Sequence, residues 1–410
     1  MTRVPNPPTY HPGPAAQPVP AEEIRGRIER FRRALRDRGV AGALLTYRPD
    51  RFYLAGTTQE GFLWIPSAGE PELWILRDPT RAARESPLPV VPVGSGRELW
   101  QRTARAVGGG AVGIAADVMP AAWLGRLGSD RWEDVAPDLL GLRRRKTPWE
   151  RERMAGVGRT VARVYEYGAA RLRPGVTEAV FAAELFAEAV RWGHEGRLWS
   201  RGTFEAYPWH VVAGPNTLAA GAVDTPMPGV GRSPAFPVGA SDRPIHEAEP
   251  VVVDFGISVG GYQTDQTRTF CLGPAPAWLA DLHRALLDVH RTAAALLRPS
   301  VQAGEVFEAA LRRAETLGVE GYLGPPERRC RFVGHGVGIE TVEPPLIAEG
   351  SREVLAEGDT IALEPKAVVP GLGGAGVEDT FLVTADGPVR LTPMPQDLWV
   401  VDRGPATGDP

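Results

Sequence analysis

The sequence has few cysteines and no long apolar run. Its 410 residues include two cysteines, Cys271 and Cys330, too few and too far apart for a disulfide framework or a zinc ribbon. No stretch approaches the roughly 18 apolar residues that a membrane span requires. The proline-rich start, Met1 to Pro20, lacks the apolar segment of a secretory signal. These absences predict a cytoplasmic protein with no membrane segment.

An excess of charge of one sign is also missing. The formal net charge is −4, and the arginines are interspersed with acidic residues rather than clustered. A basic face is the usual electrostatic mark of nucleic-acid binding, so we expect neither a nucleic-acid nor a membrane partner. Hydrophobic residues make up 43% and charged residues 23%, which is typical of a soluble globular protein. The length is sufficient for two or three domains.

The first part of the chain is predicted to be a tail followed by an α/β domain. Residues 1–20 are polar and rich in proline, a composition typical of disorder. Alternating helical and strand patterns then continue to about residue 140, and we place this domain at residues 21–145. Its first helix has an apolar stripe formed by Ile24, Ile28, Phe31 and Leu35.

A second domain is predicted at residues 146–402. Its first helix should begin after Thr147, because Thr147 and Glu150 have the spacing of a capping box. Two similar segments, 172–177 and 297–302, each lead into a helical pattern. They are either a coincidence or the mark of two related α/β halves packed face to face. In the second case the site lies at the junction of the halves, where pockets often form.

Two aspartates are predicted to lie side by side. Three valines precede Asp254, as in a buried strand that ends in a carboxylate. Gly260 and Gly261 mark a turn, so a hairpin can return the chain and bring Asp265 close to Asp254. Neighbouring carboxylates repel each other unless a cation lies between them. Alternatively, both are ordinary turn aspartates.

Three further side chains complete a possible metal site. His335 lies between two glycines, which leave its imidazole unshielded, and Glu364 and Glu378 each end a short apolar run. Four carboxylates and one imidazole suit two divalent ions, with Mn²⁺ or Co²⁺ expected first and Zn²⁺ or iron possible. The predicted metal ligands are Asp254, Asp265, His335, Glu364 and Glu378.

These residues resemble, in order and context, the ligands of the pita-bread metallopeptidases, which include methionine aminopeptidase, Xaa-Pro aminopeptidase, prolidase and creatinase. The resemblance covers residues from about 145 to 400. The segment 50–56 also resembles the N-terminal domain of creatinase and prolidase. The resemblance implies a creatinase-like α/β domain, a pita-bread catalytic domain with pseudo-twofold halves, and a homodimer.

The resemblance also implies roles for the five ligands. Asp254 would bind one ion, Asp265 and Glu378 would bridge both, and His335 and Glu364 would complete the other. A hydroxide between the ions would attack an amide carbonyl. Glu364 would also carry the proton to the leaving amine. The implied activity is release of an N-terminal residue from an Xaa-Pro or similar peptide.

The sequence departs from this family where histidines often help to hold the substrate. Val342 and Gly221 stand at two such positions, and Arg331 stands at a third. Either Lys366, Arg331 or His210 supplies the missing positive charge, or the substrate differs. The alternatives are therefore a creatinase-like hydrolase or lyase of a small metabolite, and a binding protein without metal. The five ligands argue against the last, since buried unpaired carboxylates would destabilise an empty site.

Overall fold

The chain forms two compact units, Met1–Gly113 with Ala121–Glu133 and Ile114–Pro120 with Asp134–Pro410. The computed structural model describes residues 17–128, 130–202, 210–221, 225–323 and 330–402. Residues 1–16 of the predicted tail lie outside the described residues, and the domain boundary at residue 145 stays a prediction. None of the helices in the described ranges combines the length and apolar character needed to cross a membrane.

The first unit is built on a six-stranded mixed sheet. Its first helix buries the predicted apolar stripe and ends at Asp37, and Gly39 just beyond it has a φ of 67°, which is suited to glycine. The sheet order is β4-β3-β2-β1-β5-β6. The elements are α1 (Ala21–Asp37), β1 (Gly42–Leu45), α2 (Arg48–Ala55), β2 (Gly61–Pro66), β3 (Glu72–Ile75), α3 (Pro79–Glu85), β4 (Val90–Pro92), α4 (Gly96–Val107), β5 (Val112–Ile114), α5 (Ala121–Leu124) and β6 (Trp132–Asp134).

Within its described residues, the second unit contains two larger sheets and two separate hairpins. Its helices are α6 (Ala136–Arg144), α7 (Pro148–Arg171), α8 (Glu178–Arg191), α9 (Ala277–Ala294) and α10 (Ala303–Thr316). Its strands are β7 (His210–Ala213), β8 (Pro250–Asp254), β9 (Ile257–Val259), β10 (Tyr262–Thr264), β11 (Thr267–Leu272), β12 (Phe332–Gly336), β13 (Glu343–Ala348), β14 (Thr360–Leu363), β15 (Lys366–Val369), β16 (Gly373–Gly376), β17 (Asp379–Thr384), β18 (Gly387–Arg390) and β19 (Trp399–Val401).

The two larger sheets belong to two similar halves. One has the order β19-β11-β8-β7 and the other the order β13-β12-β14-β17-β18. The repeated segments lead directly into α8 and α10, and each makes one antiparallel bridge to a later segment, Thr177 to Pro244 and Gln302 to Val354. This shared arrangement favours related halves over coincidence and confirms a mixed α/β fold.

Local sequence determines where α7 begins. Thr147 accepts from the backbone N–H of Glu150, and the Glu150 carboxylate accepts from the N–H of Thr147, forming the predicted capping box. Pro148 occupies the first helical turn, where no N–H partner is needed. In the second half, α9 and α10 cover a continuous apolar core. This core also includes Ile361 and Leu363 of β14 and Val383 of β17.

Two histidines in α9 make stability depend on pH. Burial lowers the pKa of both His283 and His290 to about 4. In the unfolded chain the histidine pKa is near 6.5, so between about pH 6.5 and pH 4 the unfolded chain binds more protons than the folded chain. The free energy of unfolding therefore falls as the pH drops through this range. Each histidine accounts for up to about 3 kcal/mol of this loss.

As the pH drops from about 6.5 to about 4.5, we expect the free energy of unfolding of His283→Leu to fall by about 2–3 kcal/mol less than that of the parent. Urea unfolding at a series of pH values measures this difference. His246→Leu, at an exposed position, is the matched control and should follow the parent. An unchanged pH dependence in His283→Leu would show that the imidazole is not buried in its neutral form.

Candidate metal centre

The sheet that contains β8 and β11, together with a short hairpin, positions the two aspartates. Asp254 is the last residue of β8, and Gly260 and Gly261 form the tight turn between β9 and β10 with φ values of 61° and 78°. Both positive φ angles are those that a two-residue hairpin of type I′ requires. Asp265 follows β10, and Thr267 of β11 pairs with Asp254. The hairpin predicted from the two glycines is therefore present.

The sheet that contains β12, β14 and β17 positions the other three predicted ligands. His335 lies in β12 and pairs with Ala362 of β14. Glu364 directly follows β14, and Glu378 directly precedes β17, which pairs with β14. Leu363 pairs with Asp379, so Glu364 and Glu378 lie at the same end of the paired strands β14 and β17. The apolar run before Glu378 belongs to β16, which is not part of this sheet.

The five predicted ligands form two overlapping groups. Ligand atoms of Asp265, His335 and Glu378 lie within 4.8 Å of one another, and so do those of Asp254, Glu364 and Glu378. Glu378 belongs to both groups and is almost fully buried. Its Oε2 accepts from the Thr267 hydroxyl at 2.6 Å, whereas its Oε1 is buried without a hydrogen-bond partner among the described residues. Such an orphaned carboxylate oxygen fits a metal ligand.

The electrostatics of this site favour a cation. Burial, and then repulsion from Asp254, raise the pKa of Asp265 to about 7. Burial also raises the pKa of Glu378 well above its ordinary range, although Lys366 opposes the shift. Burial alone would lower the pKa of His335, but Glu364 and Asp265 raise it to about 9. The carboxylates therefore repel one another and attract positive charge.

The imidazole of His335 is oriented for coordination. Its Nδ1 lies 3.0 Å from the carbonyl oxygen of Gly336, so an N–H at this position donates to that carbonyl. Nε2 is then the nitrogen available to a metal ion, at 4.0 Å from Asp265 Oδ2 and 3.4 Å from Glu364 Oε1. Together with Asp265 and Glu378, it gives a donor set that fits one divalent ion.

The structure brings Lys366 into the same site. Its Nζ donates to Glu364 Oε2 at 2.5 Å and to Asp254 Oδ2 at 2.8 Å, and lies 3.4 Å from Glu378 Oε2. Burial alone would lower the pKa of Lys366, but the three carboxylates raise it well above its ordinary value. Lys366 therefore supplies a positive charge within the second ligand group.

The other two candidates for positive charge occupy different positions. His210 in β7 pairs with Asp254 of β8, and its Nε2 donates to the carbonyl of Met227 at 2.6 Å. The side chain of Arg331 is 81% exposed and forms an ion pair with Glu349. The structure thus places His210 beside a ligand-bearing strand and places Arg331 at the surface, which does not support a catalytic role for Arg331.

The two positions that lack histidine also differ in their space. A Cβ atom added to Gly221 would lie 2.3 Å from Pro228 Cβ, so a side chain there requires the neighbouring segment to move. Val342 is 37% exposed. The crowding at Gly221 agrees with the interpretation that the surroundings of the candidate ligands differ from the family pattern.

A buried ion pair that contacts the segment of Glu378 was not predicted from the sequence. Arg268 and Asp379 are both fully buried, and Arg268 Nη2 donates to Asp379 Oδ1 at 2.6 Å. Arg268 Nη1 also donates to the backbone carbonyl of Glu378 at 2.5 Å. Thr380 similarly holds Asp265, because its hydroxyl donates to the Asp265 carbonyl at 2.9 Å. Asp379 directly follows Glu378 in the sequence and Arg268 lies three residues after Asp265, and this proximity is the signal that could have indicated a role.

A buried carboxylate–histidine group on a two-sheet α/β scaffold defines a candidate metalloenzyme. The chain belongs to Metallopeptidase family M24, whose sequence pattern matches residues 152–385. Residues 27–144 match the Creatinase/Prolidase N-terminal domain. The resemblance found in the ligand motifs is therefore confirmed.

Relatives of known sequence or structure support this assignment. A probable dipeptidase, PepE of Mycobacterium tuberculosis, is 31% identical over 396 residues, covering 93% of this chain and 97% of that protein. The Xaa-Pro dipeptidase of Pyrococcus furiosus is 33% identical over 169 residues, covering 41% of this chain and 47% of that protein.

Solved structures show the same fold. The dipeptidase PepE from Mycobacterium ulcerans matches with a TM-score of 0.77 and 28% identity, covering 94% of this chain and 100% of that chain. The prolidase from Pyrococcus horikoshii OT3 also matches with a TM-score of 0.77, at 21% identity, covering 91% of this chain and 99% of that chain. The predicted pairing of a creatinase-like domain with a pita-bread domain is thus confirmed.

Proposed function

We propose that this protein is a metal-dependent dipeptidase that cleaves Xaa-Pro or similar dipeptides. The observation that carries the proposal is the group of Asp265, His335 and Glu378, with ligand atoms within 4.8 Å of one another. The group lies on the fold of the M24 family. The match to PepE over nearly the whole chain favours a dipeptide substrate, and the match to an Xaa-Pro dipeptidase favours proline in the second position.

The residues of the chain have separable tasks in this reaction. Asp265, His335 and Glu378 would hold a divalent ion, which polarises a substrate carbonyl and makes a water molecule more acidic. Glu364 Oε1 lies 3.4 Å from His335 Nε2, next to the proposed ion, and this carboxylate would take a proton and pass it to the leaving amine. Lys366 holds the other oxygen of Glu364 and thereby fixes its orientation.

We propose Mn²⁺ as the bound ion. Of the four candidate donors at or beside the ion position, Asp265, Glu378 and Glu364 are carboxylates and only His335 is an imidazole. A homodimer and a cytoplasmic location remain proposals that rest on the family resemblance and on the sequence composition. Sedimentation of the purified protein measures the oligomeric state directly.

We expect the manganese-loaded protein to hydrolyse Xaa-Pro dipeptides and to leave Xaa-Pro tripeptides largely intact. Release of free proline measures the reaction, and chelation followed by reloading shows its dependence on metal. Asp265→Ala should be inactive, because the variant lacks one of the three ligands. Absence of turnover on both peptide classes, with metal bound, would rule out the peptidase proposal.

A second candidate is a hydrolase of a small non-peptide metabolite. The observation in its favour is Gly221, where Pro228 would have to move to admit the histidine found in the family pattern. Creatine and related amidino acids are therefore the appropriate second substrate panel. Turnover of these compounds without peptide cleavage would favour this candidate.

A further inference from the structure

The ammonium group of Lys366 lies where a second metal ion would be expected. Asp254, Glu364 and Glu378 form one of the two potential ligand groups, and these are the same three carboxylates that Lys366 Nζ contacts at 2.8, 2.5 and 3.4 Å. The Lys366 side chain is only 2% exposed. One cation, supplied by the chain itself, is therefore already present in this group.

We propose that Lys366 Nζ takes the place of a second divalent ion, so that the centre holds a single ion on Asp265, His335 and Glu378. A divalent ion binds carboxylate oxygens at about 2.0–2.2 Å. An ion bound to the oxygens that Lys366 contacts would therefore share the space of the ammonium group. Two positive charges at such a distance also repel each other strongly.

The backbone around Lys366 is built to hold its side chain inward. Lys366 in β15 pairs with Gly376 in β16. A Cβ atom on Gly376 would lie 2.7 Å from Lys366 Cγ, so the lysine stem occupies the space that any other residue at 376 would fill. Glycine at position 376 therefore leaves the space in which the buried side chain of Lys366 lies.

The choice of lysine at this position is also unusual for this chain. Of its 46 basic residues only two are lysines, Lys146 and Lys366. Both are buried, and Lys146 Nζ also contacts a buried carboxylate, Glu343, at 3.0 Å. An ammonium is a compact charge with three donors, whereas a guanidinium is a wide planar fork. The chain thus uses lysine where a small cation must fit among carboxylates.

The ion count of the purified protein tests this proposal. It concerns the site of the proposed peptidase, but the measurement requires no turnover, so the two proposals can fail independently. After reloading with Mn²⁺ and removal of excess metal, elemental analysis should give one ion per chain for the parent. Lys366→Ala should give two ions, because it vacates the second group. Anomalous scattering from crystals of each protein should locate the ions.

Lys146→Ala is the matched control, since it removes the other buried lysine and should retain one ion. Two ions in the parent protein would overturn the proposal, whether or not the Lys366 variant folds. A single ion in a folded Lys366→Ala variant would also overturn it, because the lysine would then not be what excludes the second ion. A parent that binds no ion at all would contradict the first position as well.

Discussion

Glu378→Gln is expected to lose both tight metal binding and activity. Glu378 is the ligand that both potential metal groups share, and its buried Oε1 has no other partner among the described residues. The amide keeps the volume but loses the negative charge that a divalent ion requires. A bound ion contributes several kcal/mol of transition-state stabilisation, so the rate should fall on the order of 10³-fold. Calorimetric titration with Mn²⁺ and the proline-release assay measure the two effects.

The expected loss can be separated from a loss of folding. Burial and the neighbouring carboxylates raise the pKa of Glu378, so the metal-free protein gains little from its negative charge. The metal-free variant should therefore unfold at the same urea concentration as the metal-free parent, or at a higher one. Glu349→Gln removes an exposed glutamate that is paired with Arg331 and should retain metal and activity. Full metal affinity in Glu378→Gln would show that this residue is not a ligand.

The sequence could predict where the five candidate ligands lie in the fold because each position depends on a local pattern. A run of valines places Asp254 at the end of a strand, and two glycines specify the tight turn that returns the chain to Asp265. The lysine could also be placed, since residues 364 and 366 are two positions apart on an extended chain. These features require no knowledge of which distant segments pair.

The contacts that hold the ligands in place depend on such distant pairing. Arg268 meets Asp379 across 111 residues, and its role follows only from the packing of β11 against the segment that begins β17. In the same way, Gly376 makes room for Lys366 only because β15 and β16 form a hairpin. The exposure of Arg331 could not be predicted either, because the sequence around a single arginine does not indicate whether its side chain is buried. The proposed exclusion of a second ion rests on the contacts of Lys366 with three carboxylates, which the ligand motifs alone do not predict.

Replacing Arg268 with methionine is expected to lower the free energy of unfolding by about 3–5 kcal/mol, because the buried Asp379 carboxylate loses its direct ion pair and keeps Arg390 Nη1 only at 3.8 Å. Arg268 Nε also donates to the carbonyl of Pro395 at 2.6 Å, and this acceptor would lose its donor as well. Arg284→Met is the matched control: its ion pair with Asp281 is mostly exposed and should contribute no more than about 1 kcal/mol. Urea unfolding of the metal-free proteins gives both values.

A double-mutant cycle shows whether the loss comes from the ion pair itself. Asp379→Asn in the Arg268→Met background removes the buried carboxylate that has lost its closest cation, so the second substitution should restore part of the stability that the first one lost. Asp379→Asn alone should be destabilising, because it leaves Arg268 buried without its carboxylate partner. Since Arg268 also donates to the carbonyl of Glu378, the double variant should regain stability more fully than metal affinity. Strict additivity of the two substitutions would show that the pair does not couple β11 to the Glu378 segment.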